Sequence, residues 1–123
     1  MSTMDRAAVD RWLQRYVEAW KSGDSDAIGD LFSEEAEYRY QPYADPLRGR
    51  AAIVRAWLEE DDAPGTFDAE YRAVAVDGDI AVATGTSTYR EPAKVYDNAF
   101  LLRFDGDGRC REFTEWYMQR PSG

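Results

Sequence analysis

From Thr66 to its end the chain reads as strand, and before that point it reads, with one short exception, as helix; few arrangements satisfy that division. Four strand segments are expected at about Phe67 to Val76, Ile80 to Tyr89, Lys94 to Phe104 and Arg109 to Gln119. Asp77-Gly78-Asp79 and Asp105-Gly106-Asp107-Gly108 supply residues that tolerate the backbone of tight hairpin turns, whereas Glu91-Pro92-Ala93 makes a looser connection. An antiparallel meander follows. Its apolar face needs cover, and the helices that precede it are the available cover.

Those helices are legible from their spacing. Val9, Trp12, Leu13, Tyr16, Val17 and Trp20 line one side of a helix from about Asp5 to Lys21, with Ser2 and Asp5 as a capping box and Gly23 as its stop. Asp24 caps a second, short helix carrying Ala27, Ile28, Leu31 and Phe32 on one face. Ala36, Tyr38 and Tyr40 then alternate with polar neighbours as a short strand, stopped by a proline-punctuated loop from Pro42 to Arg48. Ile53, Val54, Trp57 and Leu58 mark a third helix from about Gly49 to Glu60. The fold class expected is α+β, a curved and mostly antiparallel sheet with three helices on its concave face, enclosing a cone-shaped cavity in one domain of 123 residues.

Composition narrows the chemistry. Twenty-four acidic residues against 15 basic ones leave a net charge of −9, which disfavours nucleic acid and anionic lipid as partners. The absence of histidine removes Ser/His/Asp and Cys/His relays. A single cysteine, Cys110, permits no disulfide within the chain and no zinc or blue-copper site, and we read it as an inert thiol. The Asp105 run is not an EF-hand, because Arg109 and Trp116 stand where oxygen ligands belong. No cofactor, metal or membrane span is expected, and without a signal-like apolar segment the location expected is cytoplasmic.

The run RYVEAWKSGDSDAIGDLFSEEAEY ending at Tyr38, GRAAI from Gly49 to Ile53, and REFTEWYM ending at Met118 resemble the nuclear transport factor 2-like superfamily, in its SnoaL-like branch. The resemblance covers nearly the whole chain. It implies the cone-shaped fold, a frequent homodimer through the convex sheet face, and a concave side that takes a small hydrophobic molecule. Two catalytic branches can be compared by position. Against ketosteroid isomerases, Tyr16 matches the helix tyrosine, but Tyr40 and Phe100 replace the two aspartates. Against limonene epoxide hydrolases, Tyr38 fits and Glu115 is a longer version of one acid, while Tyr40, Thr86 and Thr88 replace the asparagine, arginine and other aspartate.

Alternation places Tyr96, Asn98, Phe100, Leu102 and Phe104 on one face of their strand and Phe113, Glu115 and Tyr117 on one face of the next. The resemblance turns Glu115 inward and Trp116 outward, with Asp97 and Glu112 as the acids that a shifted register would substitute. The candidate catalytic residues are Glu115, Tyr38 and Tyr16. The candidate ligand-binding residues are Trp20, Phe32, Tyr40, Trp57, Thr86, Thr88, Asn98, Phe100, Phe113 and Tyr117. A carboxyl group among rings loses hydration, which raises its pKa unless hydroxyls donate to it, and such an acid suits isomerisation, dehydration or aldol cyclisation. A small-row face of Ala81, Ala83, Gly85 and Ser87, with Trp116 and Met118, is the expected dimer surface. A small-molecule enzyme, a noncatalytic ligand binder and a dimeric interaction module all remain compatible with the sequence.

Overall fold

The computed structural model describes residues 4–59, 66–90 and 93–121. Helix α1 spans Arg6–Ser22, α2 Ser25–Asp30 and α3 Arg50–Glu59. The strands are β1 Phe32–Arg39, β2 Leu47–Arg48, β3 Phe67–Asp77, β4 Ile80–Arg90, β5 Ala93–Phe104 and β6 Cys110–Gln119. They form one unclosed six-stranded sheet in the order β2-β1-β6-β5-β4-β3, antiparallel except where β1 runs parallel to β6. The class is α+β, as the division of the sequence requires.

Local chemistry sets the helix ends. Asp5 caps α1 alone, accepting from the Ala8 amide at 2.8 Å; Ser2 of the expected capping box lies outside the described residues. Gly23 closes α1 with φ 65°, where a side chain would be strained. Asp24 caps α2 through the Asp26 and Ala27 amides. The second helix stops earlier than expected. Phe32 is not on its face but opens β1, paired with Cys110, because the Leu31 carbonyl accepts from the Cys110 amide at 2.9 Å and from the Trp12 indole at 3.0 Å. The proline loop also holds more structure than its sequence suggests, since Leu47 and Arg48 pair with Tyr38 and Glu37.

The core lies between α1 and the concave face. Trp12 meets Phe32 and Phe104 edge-on at 5.9 and 5.6 Å, and Val9, Leu13, Leu102 and Phe104 are fully buried around it. Sheet register decides what else faces inward. Ala83 pairs with Phe100 on one side and Ala73 on the other, so Ala81, Ala83, Gly85 and Ser87 belong to the concave face. This corrects the expected small-residue dimer surface, since residues directly opposite in a ladder share a face and the row lies under α1 and Tyr71. The outward set is instead Val82, Thr84, Thr86, Ala99, Leu101, Thr114, Trp116 and Met118. Trp116 and Met118 are its exposed members. Among the described residues no helix is long and apolar enough to cross a membrane.

Cys110 is fully buried, its thiol donates to the Glu112 carbonyl at 3.1 Å, and burial pushes its pKa up. The thiol is held protonated, as an inert thiol requires.

Candidate functional site

Beyond the Trp12 core the layers separate into an open-ended cavity of about 690 Å³. Tyr16 and Trp20 enter it from α1, Tyr38 and Tyr40 from β1 and the residue after it, and Trp57 from α3. The sheet supplies Asn98 from β5 and Glu115 and Tyr117 from β6. Those eight are all sequence candidates. Phe32, Phe100 and Phe113 are not wall residues: each is 0–1% exposed, packed beneath the lining. Phe113 stacks on Tyr38 at 4.3 Å with the rings 2° from parallel, and on Tyr16 at 5.4 Å, so it holds both tyrosines from below. Thr86 and Thr88 are on the convex face, opposite Asp97 and Val95. They face away from the cavity because β4 presents its odd-numbered residues inward.

The same parity contributes Ser87 and Tyr89, and β5 adds Lys94 and Tyr96, with Tyr71 from β3 and Gln41 from the β1 loop. The register-slipped acids are accounted for elsewhere. Asp97 pairs with Arg120 at 2.8 Å and Glu112 with Arg103 at 3.0 Å, both on the outer side. Glu115 is the acid that lines the cavity among the described residues.

Two hydrogen-bonded groups organise the polar floor. The Tyr16 and Tyr38 hydroxyls lie 3.0 Å apart, one donating to the other. The second group spans four strands, β3 to β6. Ser87 donates its one hydroxyl hydrogen to Asn98 Oδ1 at 2.9 Å, so Tyr71, 2.5 Å from Ser87 Oγ, must be the donor there. Asn98 Nδ2 donates in turn to Glu115 Oε2 at 2.9 Å. Turning the amide over would set Oδ1 against a carboxylate, so the charge of Glu115 fixes the direction of the whole chain. Each bond points its hydrogen toward Glu115, whose Oε2 accepts the last of them.

The tyrosines respond to that environment. Burial, followed by the Glu115 charge, pushes the Tyr16 hydroxyl well above its ordinary value of 10.0. Burial also raises Tyr38, with Tyr16 and then Glu115 adding to the effect. Tyr71 is raised by burial and by Glu115, against an opposing hydrogen bond to Ser87. All three are neutral donors across the physiological range. Because unfolded tyrosine ionises near 10, the stability they contribute is complete below that pH and is lost as the pH climbs through their higher folded values. A phenolate absorbance titration should therefore show Tyr16, Tyr38 and Tyr71 withheld until alkaline unfolding; their ionisation in the native protein near pH 10 would contradict this.

The family model described as SnoaL-like domain matches residues 13–113. A protein of unknown function with a cystatin-like fold from Methylobium petroleophilum superposes with a TM-score of 0.73 at 23% identity, covering 99% of this chain and 82% of that one. An LEH-like epoxide hydrolase from M. tuberculosis gives 0.70 at 14% identity over 92% of this chain and 84% of that one. A candidate ketosteroid isomerase from Kribbella flavida gives 0.69 at 16% over 97% and 84%. At these identities the likeness is one of fold. No curated protein matches the chain.

Proposed function

The chain belongs to the SnoaL-like domain family, matched from residue 13 to residue 113, and on that premise we propose that its cavity binds a small ring compound and moves a proton on it. Glu115 is the base. It removes hydrogen from a carbon next to a carbonyl, and the C–H electron pair becomes an enolate whose charge rests on the carbonyl oxygen. The Tyr16–Tyr38 pair receives that oxygen: whichever hydroxyl accepts within the pair keeps its own hydrogen to donate outward. The proton held on Glu115 then returns at another carbon for isomerisation, assists a leaving group for dehydration, or reaches the new alkoxide after aldol ring closure. One observation carries this reading: a carboxylate oriented by Asn98 shares a largely aromatic cavity with two hydroxyls that feel its charge.

The base differs in position from that of the ketosteroid isomerases this chain resembles, where the corresponding first-strand residue is Tyr40. Glu115 reaches the cavity from β6 instead. Aromatic, steroid-like and terpenoid ketones should first be screened for a thermal shift. Ligands that shift the melt are then incubated in deuterated buffer, where uptake of deuterium next to the carbonyl is the expected result. Binding without any uptake would make the protein a ligand carrier.

Self-association through the convex face completes the proposal. Trp116 and Met118 stand exposed there at 45% and 75%, beside Ala99 and Asp97 on β5. Light scattering at micromolar concentration should give a dimer, and Trp116→Glu a monomer; a native monomer would end this part of the reading.

A further inference from the structure

The cavity has two groups charged at neutral pH among its described lining residues, and they stand at opposite ends: Glu115 on the floor and Lys94 near the start of β5. Lys94 is one of two lysines in the chain. The other, Lys21, pairs with Asp68 at 3.0 Å, and Asp68 also takes Arg90. Arg120 is held by Asp97. The cations around this end of the sheet are thus neutralised on the outer side. The Lys94 side chain makes no hydrogen bond or ion pair among the described residues, in a chain where acids outnumber bases 24 to 15.

Its placement follows from strand parity. Lys94, Tyr96 and Asn98 are successive inward positions on β5, and Glu115 pairs with Phe100 on that face. Lys94 and Phe100 are six residues apart, about 20 Å at the strand rise. The two side chains shorten that span to the length of a few fused rings, or of a ring with a short chain. Tyr89 stands opposite Lys94 on β4, and Tyr96 is the next inward residue, so Lys94 shares this end of the cavity with two rings. An anion seated there loses part of its water and gains an ammonium in a medium less screening than the bulk.

We propose that Lys94 is the specificity anchor of this cavity, receiving a carboxylate carried by an aromatic or polycyclic ligand at the end remote from the carbon that faces Glu115. Glu115 repels the reversed orientation, so the charge pair gives the cavity a direction as well as a preference. The inference rests on the ring-binding reading above and deepens it. It does not require that Glu115 transfer a proton.

The test compares naphthylacetate with its neutral near-isostere naphthylacetamide by calorimetric titration. The native protein should bind the acid roughly tenfold tighter than the amide. Lys94→Met and Lys94→Gln should each bring the ratio to about one, and Lys94→Arg should restore it. Equal affinities in the native protein, or a preference that survives Lys94→Met and Lys94→Gln, would overturn the anchor. Failure of both probes to bind overturns the ring-binding reading and the anchor with it, and an acid that binds more weakly than the amide overturns the anchor alone. An intact preference without deuterium uptake in the ketone experiment overturns proton transfer alone.

Discussion

Glu115→Gln lowers proton exchange and turnover by roughly 10²–10⁴-fold while ligand affinity changes only a few-fold. The substitution keeps the shape of the side chain and keeps an oxygen for the Asn98 amide, so the Tyr71–Ser87–Asn98 chain retains its direction. What it removes is the ability to take a proton from carbon. Glu115→Asp tests placement separately, since it retains the carboxylate but draws it back from Asn98 and from the Tyr16–Tyr38 pair; an intermediate loss is expected. Melting temperature should hardly move in the Gln variant. Deuterium uptake in Glu115→Gln equal to that of the native protein would remove Glu115 from the mechanism.

That glutamate was readable in the sequence for a specific reason. The alternation of Phe113, Glu115 and Tyr117 against Thr114, Trp116 and Met118 leaves two possible faces, and the resemblance to a known fold chooses between them. The inward face of β5 was legible in the same way, from Tyr96 to Phe104. The β4 row is ambiguous by composition, because small residues suit either a tight outer contact or a crowded interior. Pairing Arg90 with Ala93 decides the matter, since counting along the two strands from there sets Ala83 opposite Phe100 and Ser87 opposite Tyr96. The loop composition between them does not announce that register.

Tyr71 was hidden by a different feature. Counting back from the Asp77–Ile80 pair would place Tyr71 opposite Thr86, on the outer face. A shift between Ala73 and Ala75 moves it opposite Gly85 and turns it inward. Nothing in the run Arg72-Ala73-Val74-Ala75 marks a bulge. Alternation puts Phe100 and Phe113 on the correct side of the sheet but at the wrong depth, because it assigns a face, whereas depth depends on what α1 lays over it; Phe32, which reads as part of a helix face, opens β1 and is buried as deeply.

Gly85→Ala should be the most damaging single substitution in the cavity wall, costing ~3–5 kcal/mol and lowering the melting temperature by more than ~10 °C. A Cβ there would lie 1.9 Å from the Glu70 carbonyl oxygen, 2.6 Å from Tyr71 Cδ1 and 2.7 Å from Tyr71 Cα. Two of those three atoms are backbone, so side-chain repacking cannot relieve the overlap and β3 must move off β4. β3 is an edge strand, with β4 its one neighbour in the sheet, and among the described residues no second ladder holds it in place. Its departure carries away Tyr71, the first donor in the chain that ends on Glu115, so ligand binding should fall along with stability. Tyr71→Phe separates the two consequences, keeping the ring over Gly85 while deleting the donated hydrogen. Gly106→Ala is the control: its Cβ would meet nothing within 4 Å and its φ is not positive, so the melt should shift by no more than the equivalent of about 0.5 kcal/mol. If Gly85→Ala melts within a couple of degrees of the native protein, the close approach of β3 to β4 is not what shapes this wall.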